Sequence, residues 1–140
     1  MNAVVLDASV LIAAAEPADC FHSESRTLLT QLVTRRVPIT VPAFAVVEIA
    51  CALARRLGDP VAARTLAIGG LSALRATELP MDSTFLAHAT LSGTRQRLRG
   101  GDALYAAAAE LSGNILISWD SEHRSRSAAM SPAEWLAANP

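Results

Sequence analysis

The chain has 140 residues, of which 51% are hydrophobic, and a formal net charge of −1. That length suits one domain, 1–140, with enough apolar chain for a real core, and the balanced charge supplies no overall basic field for nucleic acid. All 12 basic residues are arginine; without lysine, a Gly-Lys-Ser/Thr phosphate loop and lysine Schiff-base chemistry are excluded.

Ala3-Val4-Val5-Leu6 is a short, unalternating apolar run that ends at Asp7. Such a run predicts a strand buried on both faces, as in a parallel sheet flanked by helices. Asp7 then stands at the strand's carboxyl end, where open α/β sheets bind ligands; it is equally a residue that caps the following helix. Ser9 to Ala15 reads as a short helix that Glu16-Pro17 ends. Phe21 to Arg36 shows helical spacing of Leu28, Leu29, Leu32 and Val33, with Arg35 and Arg36 expected in its last turn. Pro38 to Pro42 is a short strand, and Ala43 to Leu57 a long helix stopped at Gly58-Asp59-Pro60. Val61 to Leu74 is a helix weakened by Gly69-Gly70. Ala76 to Met81 forms a third strand, which Pro80 assigns to an edge or an end. Asp82 caps a helix that runs to about Arg99, and Gly100-Gly101 breaks the chain before Asp102 opens the next helix. Ile115 to Asp120 repeats the buried-strand signature with its terminal aspartate. After a short extended piece at Met130, Ser131-Pro132-Ala133-Glu134 starts a terminal helix with a capping box and proline at its first position. Strands alternating with helices argue an α/β fold with a parallel sheet covered on both faces.

Cys20 and Cys51 are too few for a disulfide framework or a cysteine metal site, and Cys51 reads as a small core residue. The N-terminus has no basic region before an apolar stretch, and no apolar run approaches the roughly 20 residues of a membrane span. A cytosolic protein with no membrane contact is expected.

Glu48 interrupts an uncharged helical segment, with Phe44, Ala45, Cys51 and Ala52 as its neighbours at helical spacing. None can pair with it, and an isolated buried carboxylate is costly or takes a proton; Arg55 is the one cation near enough to reach back. Asp102 and Asp120 each have a capping role available to them. Jointly, two inner strands end in aspartates, one helix carries a carboxylate among apolar residues, and another helix begins with an aspartate. Four such groups would not all ionise together without cations, and hard oxygen ligands favour Mg²⁺ or Mn²⁺. Ser9 and Ser118, each two residues from an aspartate of this set, suit hydrogen bonds that orient the carboxylates or a bound water, and serve equally as cap or strand-end hydroxyls. His22, His88 and His123 lack zinc spacing; His123 follows Asp120 closely but reads as a surface loop residue. Arg95, Arg97, Arg99, Arg124 and Arg126 fall near the same edge, where phosphates would meet them.

In Val5-Leu6-Asp7-Ala8-Ser9, in Pro42 followed by Glu48, in Gly101-Asp102-Ala103 and in Leu116-Ile117-Ser118-Trp119-Asp120, the sequence resembles a PIN-domain ribonuclease, specifically the VapC-type toxin of a VapBC toxin–antitoxin pair. The motifs are short, but their order and spacing span essentially the whole chain. The resemblance implies a three-layer α/β/α fold around a mainly parallel sheet of four to five strands. It also implies Mg²⁺- or Mn²⁺-dependent endonuclease cleavage of RNA such as tRNA or rRNA, a homodimer, and inhibition by a cognate VapB-type antitoxin. The family's metal-binding acids fall on Asp7, Glu48, Asp102 and Asp120, and its accompanying hydroxyls on Ser9 and Ser118. Trp119 stands where a smaller or aliphatic residue is expected, and Glu122 offers an extra acid.

Two other readings compete with a nuclease. A non-catalytic module that binds RNA or protein does not require four carboxylates. A phosphotransfer receiver domain requires a lysine that is absent.

Overall fold

In a computed structural model, residues 2–140 are described. The strands are β1 (Val4–Leu6), β2 (Ile39–Pro42), β3 (Thr77–Leu79) and β4 (Ile115–Ile117). They form one parallel sheet in the order β3-β2-β1-β4. The helices are α1 (Ala8–Ala15), α2 (His22–Thr34), α3 (Ala45–Leu57), α4 (Pro60–Ala73), α5 (Ser83–Gln96), α6 (Gly100–Ser112), α7 (Ser121–Arg126) and α8 (Pro132–Ala138). Helix α6 packs on β1, β2 and β4 with α5 outside it, while α1 packs on α2 and α3, and α3 on α4.

The unalternating strand signature has its expected cause. Val4, Val5 and Leu6 are all fully buried, as a central strand between two helical layers must be. Because the sheet is parallel, β1, β2 and β4 end on the same edge. Their continuations, Asp7, the entry to α3 and Ser118-Trp119-Asp120, are thereby neighbours. Helix α6 runs back from that edge to Gly113, where a left-handed residue (φ 70°) turns the chain into β4. The start of α6, with Asp102, is therefore at the same edge.

Several local expectations differ from the structure. Strand β4 is an edge of the named sheet rather than an inner strand, its outer side met only by an isolated bridge from Ile117 to Met130. Gly100 and Gly101 do not break the chain; they are the first two residues of α6, and Asp102 lies inside its first turn. Gly69 and Gly70 lie within an unbroken α4. Arg35 and Arg36 lie beyond the end of α2, with Arg36 at φ 56°, and Arg35 instead donates to the Asn139 and Pro140 carbonyls. Cys51 is exposed, not core. The buried stripe of α3 is Ala45, Ile49 and Leu53, and a residue two places after Ile49 faces away from it. Pro80 does end an edge strand, and the capping box of Ser131 and Glu134 forms as expected. Among the described residues, no helix is long and apolar enough to cross a membrane.

Trp119 also finds a use for its size. Its ring stacks on Phe21 with centroids 4.0 Å apart, and its Nε1 donates to Ser25 Oγ at 2.8 Å. It joins the chain after β4 to α2 and holds the loop beside Asp120.

The α5–α6 contact depends on Gly93, where an added Cβ would stand 2.5 Å from the Ala103 Cβ. Helix propensity alone favours alanine over glycine by about 1 kcal/mol. Here overpacking of about 1–3 kcal/mol opposes it, and α6 carries Asp102. Urea unfolding of Gly93→Ala is expected to show net destabilisation, whereas Gly69→Ala, with nothing within 4 Å, gains stability. A stabilised Gly93→Ala would contradict this packing.

Candidate metal centre

The sheet register builds the site. Leu6 pairs with Ile117, so Asp7 comes level with Ser118, and Asp7 N donates to the Ile117 carbonyl at 3.0 Å. Asp7 then serves both roles open to it. Its Oδ2 accepts from Ser9 N at 3.2 Å, which caps α1, and from Ser118 Oγ at 3.0 Å. Its Oδ1 is left to face the site. Ser9 Oγ accepts from Trp119 N at 3.1 Å, and Ser118 Oγ accepts from Asp120 N at 2.9 Å. The two hydroxyls therefore lace the ends of β1 and β4 together around one carboxylate.

Asp7, Asp102 and His123 each offer a ligand atom within 4.8 Å of the others. His123 Nε2 lies 3.3 Å from Asp102 Oδ1 and 3.7 Å from Asp7 Oδ1. Nε2 makes no well-formed hydrogen bond with either carboxylate. His123 is thus a correction: it is fully buried and central to the site, not a surface loop residue. Asp120 caps α7 through Oδ1, which accepts from Glu122 N and His123 N. That cap turns the first residues of α7 inward and carries His123 to Asp102.

Glu48 is half-buried near the start of α3 and lies against the beginning of α6. A Cβ on Gly101 would come within 3.3 Å of Glu48 Oε2. Burial first, then the charges of Asp7 and Asp102, push the Glu48 carboxyl up to about 7. The fully buried Tyr105 hydroxyl, beside Glu48 and Asp7, has no formed hydrogen bond. Burial also raises Asp7, against the hydrogen bonds of Ser9 and Ser118 and the charge of His123. The neighbouring His123 ring holds Asp102 below the ordinary carboxylate range despite partial burial. Burial would lower His123, but Asp102, Asp7 and Asp120 together raise it.

The residues fit a divalent cation. Two aspartates and a glutamate crowd one buried edge, the glutamate is driven towards neutrality by burial and then by the aspartates, and a buried ring nitrogen there lacks a hydrogen-bond partner. Oxygen donors of this kind suit Mg²⁺ or Mn²⁺. Asp120 stands beside the group through its cap, outside the tight set. Glu122 turns away and faces Arg99 at 3.5 Å and Arg126 at 3.8 Å. Arg126 also donates to the Arg97 carbonyl, and Arg124 approaches Glu134 at 3.9 Å. Arg99 keeps an exposed side chain at the start of α6.

The family model for the PIN domain matches residues 4–128. The chain belongs to the PIN domain family. Similar solved structures include PAE2754 from Pyrobaculum aerophilum, with TM-score 0.73 and 21% identity over 98% of this chain and 94% of that one. The sarcin-ricin loop cleaving toxin VapC20 of Mycobacterium tuberculosis has TM-score 0.73 and 18% identity over 89% and 95% of the two chains. VapBC2 from Rickettsia felis, bound to a DNA fragment from its promoter, gives TM-score 0.70 and 11% identity over 91% and 96%. No curated protein sequence matches the chain. At these identities, the structural likeness establishes that the PIN fold is shared.

Neutralising Glu48 should be visible in the stability of this PIN domain without metal. The folded state holds a proton on Glu48 up to about 7, whereas the unfolded chain releases it near 4.5. Folded protein therefore binds more protons across that window, and stability falls as pH rises through it. The raised His123 acts in the same direction, and the lowered Asp102 acts below the window. Melting temperatures in chelator are expected to decline from about pH 4.5 to 7, and Glu48→Gln to flatten the decline. Parallel profiles for both proteins would contradict the electrostatic account.

Proposed function

We propose that the chain is a metal-dependent endoribonuclease and the toxin of a type II toxin–antitoxin pair. The observation that carries this reading is the meeting of Asp7 and Asp102 beside Glu48 at the carboxyl edge of a PIN sheet. Asp7, Glu48, Asp102 and Asp120 would hold Mg²⁺ or Mn²⁺ directly or through water. Bound there, the ion supplies a Lewis acid and charge neutralisation for phosphodiester hydrolysis.

The chain's own residues supply position and charge. Ser9 and Ser118 fix the Asp7 carboxylate and leave Oδ1 free. Asp120 fixes α7, and α7 delivers His123. Exposed Arg99 offers a charged fork to a backbone phosphate of the RNA. A polymeric RNA such as tRNA or rRNA is the substrate class that this reading assigns.

Regulation by a partner is part of the proposal. An open apolar groove of about 560 Å³, lined by Leu11, Leu29, Val33, Leu66 and Leu74, lies apart from the carboxylates. A VapB-type antitoxin segment is the occupant that this reading assigns to it. Exposed Val61, Ile68 and Leu91 leave apolar surface for a second copy in a homodimer. The neighbours solved as toxin–antitoxin complexes, from Rickettsia felis and Klebsiella pneumoniae, support the pairing with an antitoxin.

The test is cleavage of total RNA by protein freed of any partner, with Mg²⁺, Mn²⁺ or EDTA. Discrete fragments are expected with metal alone. Asp7→Asn and Asp102→Asn should each reduce cleavage by at least about a hundredfold while melting cooperatively, a loss of about 2.7 kcal/mol of transition-state stabilisation or more. Full activity in Asp7→Asn would overturn the proposal. RNA bound tightly but uncut in Mn²⁺ would assign the chain as a binding module instead.

A further inference from the structure

His123 belongs to none of the acid positions, yet its ring, on α7, is fully buried at the site. Nδ1 lies 3.3 Å from Ser127 Oγ. That hydroxyl donates its single proton to the His123 carbonyl at 2.6 Å, so towards Nδ1 it can only accept. Nδ1 therefore carries the ring proton, and in the neutral ring Nε2 is a bare lone pair. Nε2 has no hydrogen-bond partner and faces Asp102 Oδ1 at 3.3 Å and Asp7 Oδ1 at 3.7 Å. A lone pair held against two carboxylate oxygens is repulsive unless a proton or a metal ion lies among them. A metal-bound histidine has this arrangement, with the far nitrogen donating to a fixed acceptor and the near nitrogen free to ligate.

We infer that His123 is itself a metal ligand through Nε2, completing with Asp7 and Asp102 a two-oxygen, one-nitrogen donor set that favours Mn²⁺ over Mg²⁺. The inference rests on the metal-centre reading above and deepens it. Donor atoms sharing one small ion, at about 2.1 Å each, stand roughly 3.0–3.5 Å apart. The separations from His123 Nε2 are close to that without rearrangement of the backbone. Imidazole is a good ligand for transition ions and a poor one for Mg²⁺, which prefers oxygen and water. Ser127 becomes a positioning residue, since it sets which ring nitrogen is free.

The experiment is pulsed electron paramagnetic resonance of the full chain loaded with Mn²⁺. It is done in a His88→Gln background, because His88 with Glu110 at 2.7 Å is a second histidine–carboxylate pair able to take the ion. The spectrum is expected to show nitrogen hyperfine coupling that changes on isotopic labelling of histidine nitrogen and vanishes in His123→Gln. By calorimetry, His123→Gln should weaken Mn²⁺ at least about tenfold and Mg²⁺ by less than about threefold. Bound Mn²⁺ without nitrogen coupling would overturn the His123 assignment and leave an all-oxygen metal site standing. No bound Mn²⁺ at all would overturn both. Because the coupling is read with His123 in place, a poorly folded His123→Gln does not rescue the inference.

Discussion

The hydrogen bond from Ser118 Oγ to Asp7 Oδ2 is the contact on which the site depends. It joins the ends of two parallel strands through a buried carboxylate, and it works because Leu6 and Ile117 are in register. Asp7 spends one oxygen on this bond and on the α1 cap, which leaves the other to the site. Ser118 passes the constraint on to Asp120 N, and Asp120 in turn caps α7. One carboxylate thus organises the strand ends, the first helix and, through two further bonds, the placement of His123. Loss of the Asp7 side chain would remove a cap and a site ligand together, whereas Asp7→Asn keeps an acceptor for the cap.

The same economy has an electrostatic cost. Burial resists charge on Asp7 and on Glu48, and Asp7 and Asp102 add to it at Glu48. Without a cation, protons on these groups and a positive His123 ring relieve the crowding. A divalent ion relieves it more fully, because it meets several carboxylates at once. The site is therefore a place where folding stability is given up for binding capacity. Ordinary structural acids of this chain are treated differently: Asp19 pairs with Arg56 at 2.8 Å, and Glu110 accepts from Ser92, Gln96 and His88.

Much of this was legible in the sequence where burial leaves a strong pattern. The run before Asp7 has no polar residue, so its burial on both faces follows, and a parallel sheet then brings the strand ends together. Glu48 stood out because no residue at helical spacing could pair with it, and the structure finds it pushed up to about 7. His123 was not legible. A histidine in a polar stretch between Asp120 and Arg124 looks solvated, and its place beside Asp7 and Asp102 is a tertiary contact no local pattern announces. Trp119 and Cys51 follow the same logic from opposite directions. Trp119 gains its place from Phe21 and Ser25, about a hundred residues away in sequence. Cys51 loses its expected burial because the apolar stripe of α3 is narrower than its composition suggests. Gly100 and Gly101 look like a break, but they open α6, and Gly101 lies beside Glu48, where a side chain would crowd the carboxylate.

The most direct test of the central claim, that these acids form a cation site, is the melting temperature of the protein titrated with Mn²⁺ near neutral pH. Ligand that binds the folded state alone stabilises it as concentration passes the dissociation constant, by about 2.7 kcal/mol at a hundredfold excess over it. The account predicts a saturable rise for the native chain and a much smaller one for Asp7→Asn and Asp102→Asn. A melting temperature indifferent to Mn²⁺, or a rise of equal size in all three proteins, would contradict it.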